Sequence, residues 1–315
     1  MTEPQLSIGV RTFSAEDPGG WQPLFDRARL LDRAGVDRLL VSDHVLFGEH
    51  LEAYGRPEVG GATGGVQPTG PDGHWLEPLT TLAVLAGMTT RIRLGTNIMI
   101  AALRRPVVLA KSAATLDVLS GGRLDLGVGV GWQREEYEAA GLDFSRRGRA
   151  LDQTLEVCQT LWRDTRASFD SPELRFEGIH QMPKPVQPDG VPLWVSGRVN
   201  DAVVRRLARF GTGWIPWGED AADLEHSLPE LRRRLSDAGR DPTDLQVAGQ
   251  LADVRDGDGN LDLHATMAAV PAMVEAGVTD FRASLRIPAD PSASEDHLRR
   301  AVAAFRQVTG RSAPD

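Results

Sequence analysis

Acid–base chemistry is first legible in this sequence at Asp43-His44. The pair ends a short apolar run, 37–42 (DRLLVS), that reads as a β-strand. A histidine delivered by a strand end can give or take a proton near neutral pH. Asp43 either orients a neighbouring group or contacts a bound cofactor; the competing reading is a capping aspartate beside a packed histidine. Further along, Gly95-Thr96-Asn97-Ile98 interrupts an apolar strand with small and polar residues. That marks close approach of the backbone to a ligand, or a kink in the sheet. Gly127-Val128-Gly129-Val130-Gly131-Trp132 sets three glycines at alternate positions, where the backbone has room to crowd a planar or anionic group. This is not the dinucleotide fingerprint, because Trp132 and Arg134 stand where its third glycine is required. Ser196-Gly197-Arg198 precedes a helical pattern that starts near Asp201. Backbone N–H groups, a helix N-terminus and a guanidinium together make a phosphate cradle, although a plain strand-to-helix turn has the same composition. Trp214 and Trp217 follow, as ring-stacking or core residues.

Something must hold these groups at one end of a sheet. Apolar runs rich in Val, Ile and Leu at 6–12, 37–42, 91–99, 123–129 and 192–196 read as strands, with weaker ones at 213–217, 244–250 and 278–285. Near-continuous apolar strands indicate a parallel sheet covered on its outer face. Helical patterns separate them. Leu24, Ala28, Leu31 and Ala34 share one face, as do Leu151, Leu155, Cys158 and Trp162. Gly121-Gly122 stops the helix ending near Leu119. About eight strand–helix repeats close a (β/α)8 TIM barrel, with an open doubly wound sheet as the rival. No composition shift divides residues 1–315, so one domain is expected. Insertions are expected at 47–74, a Gly- and Pro-rich lid after the second strand, and at 166–190. Barrel insertions carrying function belong on the C-terminal face of the strands.

Composition narrows the class. The net charge of −9 argues against nucleic acid as a partner. No apolar stretch approaches the length of a membrane span. No leader-like N-terminus is visible, and the single cysteine permits no internal disulfide, so a cytoplasmic protein is expected. The remaining histidines lack metal-ligand spacing, and a metal-dependent barrel hydrolase built on Asp43, His44 and Glu77 is a remote alternative. Gly-x-Ser-x-Gly is absent. Arg104 and Arg105, with Arg146, Arg147 and Arg149, form two basic clusters, either solvated faces or receivers of an acidic cofactor tail.

Several blocks resemble the bacterial luciferase-like superfamily of flavin- and deazaflavin-dependent oxidoreductases. They are Trp75-Leu76-Glu77-Pro78 through Gly95-Thr96, Pro106 to Lys111, Thr115-Leu116-Asp117 with Ser120-Gly121-Gly122-Arg123, Gly127 to Trp132, and Trp194 to Arg198. The "SGGR" and "GVGVGW" blocks are most similar to the coenzyme F420-dependent branch. The resemblance implies a barrel, a homodimer, and F420 as cofactor, with FMN as the alternative. It implies hydride transfer between the deazaflavin C5 and a small organic substrate, or, with FMN, a monooxygenase. It assigns His44 to catalysis at the reactive ring carbon and Asp43 beside it. Asn97-Ile98 matches a non-prolyl cis peptide that buckles the ring. Val130 and Gly131 match ring and ribityl contacts; Ser196, Gly197 and Arg198 match the phosphate site, with Trp217 adjoining. One departure stands out: some deazaflavin-dependent dehydrogenases carry glutamate where this chain has Trp132, which counts against sugar-phosphate substrates.

Overall fold

A computed structural model describes residues 3–283, 285 and 291–312. Eight strands close a barrel: β1 (Gln5–Gly9), β2 (Arg38–Val41), β3 (Arg93–Thr96), β4 (Leu124–Val128), β5 (Leu193–Ser196), β6 (Gly211–Ile215), β7 (Gln246–Leu251) and β8 (Asp280–Ala283). Each pairs in parallel with its chain neighbours, and β8 returns to β1. All eight expected strands are present, and the open-sheet rival is excluded by the closure. Position 284, inside the expected strand 278–285, lies outside the described residues.

The outer layer includes α1 (Gln22–Ala34), α2 (Pro78–Ala86) and α3 (Pro106–Ser120). Farther on come α4 (Arg134–Ala139), α5 (Arg147–Arg163) and α6 (Asp201–Phe210). Leu24, Ala28 and Leu31 of α1 are buried on one face, as their spacing requires. Gly121 ends α3 in the left-handed conformation at φ 68°, which a glycine adopts without a Cβ clash. Outward residues of the strands, such as Leu39, Leu94 and Leu126, join these helices in the main core.

The strand interiors are less apolar than their sequence suggests. Inward positions near the N-terminal end of the barrel carry a buried ionic layer. The Arg38 guanidinium donates to Asp125 at 2.8 Å, to Asp280 and to Gln5. Arg93 holds Asp125 from the other side, Arg282 holds Asp280, and the Ser7 hydroxyl donates to Asp280. Above this layer sits Trp194, with the Arg38 guanidinium 4.9 Å and that of Arg282 5.5 Å from its ring. Trp194 packs with Ile215, Ala248 and Ile98 to fill the middle of the barrel. The interior is therefore stacked: ions, then an indole, then the open end.

The segment 47–74 follows β2 and so lies on the C-terminal face. It is ordered into two tight turns, Leu51–Gly55 and Pro57–Val59. The 166–190 segment behaves differently. It forms an antiparallel hairpin, Ala167–Asp170 with Arg175–Ile179, that follows helix α5 and not a strand. A connection from helix to strand starts at the N-terminal end of the barrel. The hairpin accordingly lies outside α5, and the chain returns past Asp117 at the end of α3, whose carboxylate accepts from the Val186 N–H and the Gln187 side chain.

The ionic layer makes a stability prediction. Burial pushes the Asp125 and Asp280 carboxyls toward protonation, but the Arg38, Arg93 and Arg282 charges overcome this and hold both below the usual range. Their contribution is therefore full above the unfolded aspartate value, about 3.9, and is lost as pH falls through the lower folded values. Arg38→Met leaves two buried carboxylates short of a partner and should cost about 3–5 kcal/mol in urea unfolding at pH 7. The difference from wild type should shrink as pH falls below about 3.9, because without Arg38 the variant's buried carboxylates take up protons at a higher pH than the wild type's. A pH-independent difference would mean that lost packing, not charge, sets the cost.

Candidate active site

The end of β2 delivers Ser42, Asp43 and His44 to the mouth of the barrel, and adjacent residues there point in different directions. Asp43 is buried and turns into the protein. One of its carboxylate oxygens accepts from the Ile100 N–H at 2.8 Å and from Arg104; the other accepts from Arg104 at 2.8 Å. Arg104 also reaches Glu77, whose other oxygen caps α2 through the Thr80 N–H. Asp43 therefore fixes the segment leaving β3. Its lone pairs are largely used by the protein, so its part in any ligand site is to hold that segment.

That segment contains a cis peptide between Asn97 and Ile98, at the position the resemblance implies. The Asn97 N–H donates to the Val41 carbonyl at 2.7 Å, and its side-chain oxygen accepts from Arg282 at 2.6 Å. Asn97 is exposed in the mouth, as are Gly9 of β1 and Gln250 of β7, in strands otherwise mostly buried. The three alternate glycines of β4 explain how this segment fits. A Cβ on Gly127 would lie 2.1 Å from the Thr96 carbonyl oxygen. One on Gly129 would lie 2.9 Å from Ile98 Cδ1, and one on Gly131, at φ 68°, would lie 3.1 Å from Ile100 Cδ1. The room they create is taken by the β3 segment itself, which brings Ile98 against Gly129 and Ile100 against Gly131.

His44 turns the other way from Asp43. Its Nδ1 lies 3.3 Å from a carboxylate oxygen of Glu136, whose second oxygen accepts from the Val45 N–H at 2.8 Å. Glu136 is 1% exposed and the His44 side chain 9%. A carboxylate beside Nδ1 selects the tautomer with its proton there, leaving Nε2 as the acceptor. Among the described residues Nε2 has no hydrogen-bond partner. Three rings surround the imidazole: Phe47 at 4.5 Å, Trp75 at 4.9 Å and Trp132 at 5.9 Å between centroids. The arrangement is an imidazole–carboxylate pair inside an aromatic enclosure.

The lid closes one side. Tyr54 packs on Trp132 at 5.4 Å, Gly60 passes over the Gly131 backbone, and Trp217 donates from its indole to the Gly61 carbonyl at 3.2 Å. Trp217 is thus a rim residue, whereas Trp214 is fully buried and donates to the Gly197 carbonyl at 2.9 Å. Ser196 and Gly197 stand at the end of β5. Gly197 has φ 147°, and a Cβ there would meet Val203 of α6 at 2.8 Å. Arg198 is half exposed and pairs with Glu219 at 2.6 Å, while the Val199 N–H is held by Asp220. The Asn200 side chain caps α6.

Sequence reasoning brought His44, Asn97, Ile98, Val130, Gly131 and Trp217 to the mouth, with Ser196 to Arg198 at its edge. It missed Glu136, which reads from sequence as an ordinary acidic residue in the first turn of a short helix. It also missed Arg282 and the ring wall of Phe47, Tyr54 and Trp75. The three residues of the metal alternative are engaged elsewhere, Asp43 and Glu77 with Arg104 and His44 with Glu136.

Comparison with known proteins places this geometry. Residues 6–254 match the luciferase-like monooxygenase family. An uncharacterised protein of Mycobacterium tuberculosis is 32% identical over 232 residues, covering 73% of this chain and 79% of that protein. A phthiodiolone/phenolphthiodiolone dimycocerosates ketoreductase of the same species is 33% identical over 178 residues, covering 55% of this chain and 46% of that protein. The crystal structure of an F420-dependent secondary alcohol dehydrogenase superposes with a TM-score of 0.72 at 17% identity, covering 96% of this chain and 99% of that one. At that identity the likeness is one of fold. With a closed parallel barrel, a cis peptide at the mouth and a match across most of its length, this chain belongs to the luciferase-like monooxygenase family and is an oxidoreductase of that kind.

Proposed function

We propose that the protein is a coenzyme F420-dependent oxidoreductase acting on a small organic alcohol or carbonyl compound. The observation that carries this reading is the His44–Glu136 pair, set in the mouth with Nε2 unpartnered. Interconversion of an alcohol and a carbonyl needs a proton acceptor or donor at oxygen, and a carboxylate-supported imidazole provides one. The ketoreductase relative supports a carbonyl substrate.

The mouth fits a flavin-like ring with polar edges. Among the described residues Thr12 Oγ1 and Ser42 Oγ are buried there without hydrogen-bond partners. A Cβ on Gly9 would have nothing within 4 Å. Asn97, Ile98, Val130 and Gly131 would hold the ring and ribityl part. Ser196, Gly197 and Arg198 would take the phosphate, with Arg198 exchanging Glu219 for it, and Trp217 would close the rim. When bound, the deazaflavin supplies the carbon that takes or gives a hydride. Asp43 keeps the β3 segment in place through Ile100 and Arg104. His44 holds or receives the proton of the substrate oxygen at Nε2, and Glu136 fixes its ring and balances its charge when protonated. Phe47, Trp75 and Trp132 keep bulk water from the imidazole.

The same reading includes a cytoplasmic setting, where Cys158 stays a buried thiol, and a homodimer. Helix α3 turns Val108 and Leu119 outward, 62% and 70% exposed, and Val84 of α2 is exposed as well. We place the second copy on that face. Sedimentation should give twice the monomer mass, and Leu119→Glu should reduce it to one.

Fluorescence titration of the purified chain with F420, and separately with FMN, tests the cofactor. Tighter binding of F420 supports the proposal; the reverse preference moves the assignment to an FMN-dependent monooxygenase. His44→Ala should lower turnover by about 10²- to 10⁴-fold while cofactor affinity stays near wild type. Glu136→Gln should lower it less, and the double variant should be no slower than His44→Ala alone, because the two residues act as one unit. Additive losses would separate Glu136 from the proton transfer.

A further inference from the structure

We infer that the site selects uncharged substrates carrying an aromatic or cyclic apolar body beside the reacting carbon, and rejects anionic ones. This rests on the oxidoreductase reading above and specifies its substrate class.

The wall around His44 is built from rings supplied by separate parts of the chain. Phe47 and Tyr54 come from the lid, Trp75 from the short strand His74–Trp75, and Trp132 from the end of β4. Phe13 extends the wall, stacked on Trp75 at 4.3 Å and 18°. Faces and edges of this kind are complementary to another ring or to a saturated apolar body. Trp132 is 5% exposed, and its indole N–H has no partner among the described residues. A single unpaired neutral donor among rings suits a hydroxyl or carbonyl oxygen; it cannot solvate a phosphate or carboxylate.

Charge around the mouth points the same way. Two arginines of the barrel mouth are already paired with carboxylates. Arg104 is ion-paired with Asp43 and Glu77, and Arg282 with Asp280, while its other side donates to the neutral Asn97 side chain. Arg11 lies over the ring of Phe13, 5.4 Å from its centroid. The lid segment 47–74 carries Glu49, Glu52, Glu58 and Asp72 against Arg56 alone. Glu135 presses on the lid at Gly48, where a Cβ would lie 2.5 Å from its side chain. An anion entering over this rim meets the lid's carboxylates first, and among the described residues the one wall arginine without a carboxylate partner is Arg11, which is exposed at the outer ring Phe13 and not beside His44.

The test uses three probes of similar body and different charge: acetophenone, benzoate and benzyltrimethylammonium. Equilibrium dialysis against the full chain, alone and with saturating F420 or FMN, reads binding without turnover. Acetophenone should bind at least about tenfold more tightly than benzoate. Tyr54→Ala should weaken acetophenone by a similar factor, whereas Tyr54→Phe, which keeps the ring, should leave it unchanged. Trp132→Glu should remove acetophenone binding without creating any for benzoate. Benzoate binding as tightly as acetophenone overturns the inference. So does benzyltrimethylammonium binding tightest, which would make the rings a cage for cations. Failure of F420 to bind while acetophenone binds as expected would instead overturn the cofactor reading and leave the substrate class standing.

Discussion

Everything at the mouth of this barrel stands on the buried charge layer beneath it. Five ionised side chains, Arg38, Arg93, Arg282, Asp125 and Asp280, meet within the closed sheet, together with Ser7 and Gln5. Such a layer is expensive to assemble, since each ion leaves water, and it persists only because each charge has partners in good geometry. Its consequence is positional. The two guanidinium groups support Trp194, Trp194 packs with Ile98, and Arg282 reaches past it to the Asn97 side chain. The floor of the mouth is thus tied to the base of the barrel through one connected set of contacts. A purely aliphatic filling would occupy the same space, yet it could not address Asn97 by hydrogen bonding.

Two neighbouring residues at the end of β2 divide the remaining work. Asp43 faces inward and is spent on Ile100 and Arg104. His44 faces the mouth and is spent on Glu136. Neither could take the other's place, because a strand end sends successive side chains to opposite sides. The pair also couples the two segments that frame the site, Asp43 to the end of β3 and His44 to the helix after β4. The β4 glycines complete the frame from below: with a side chain at Gly127, strand β4 could not approach the Thr96 carbonyl. The same glycines that looked suited to crowd a ligand serve first to let two protein segments crowd each other.

This explains what could and could not be read from residues alone. Strand positions were legible because their outward faces are apolar and uninterrupted, as in Leu39, Leu94 and Leu126. The inward charges were not, since Arg38, Asp125 and Asp280 sit at strand ends, where a charged residue reads as a boundary. His44 was legible from its place after a strand. Glu136 was not: it lies 92 residues away, and only closure of the barrel brings them together. The structural meaning of other motif residues was equally hidden. Arg123 donates to the carbonyls of Ala86, Thr89, Ile92 and Ser120, and Asp32 accepts the N–H groups of Thr90, Arg91 and Ile92. Both fasten helix-to-strand turns at the end of the barrel away from the mouth, so the place of Arg123 in a recognisable block reflects architecture and not chemistry.

The contact between Arg198 and Glu219 bears on how an anionic cofactor would enter. With side chains 52% and 78% exposed, this is a surface ion pair, worth about 0–1 kcal/mol. A phosphate offers Arg198 a stronger, bidentate partner than one carboxylate. Exchange at Arg198 is therefore cheap in energy. The Val199 N–H is a different matter, because Asp220 occupies it and belongs to the same short turn as Glu219. If the phosphate takes both positions, Glu219 and Asp220 both give up their present contacts, and Trp217, just before that turn, is the residue that joins it to Gly61. Phosphate binding and lid position are then one equilibrium, and a charge exchange at the rim is enough to bias it.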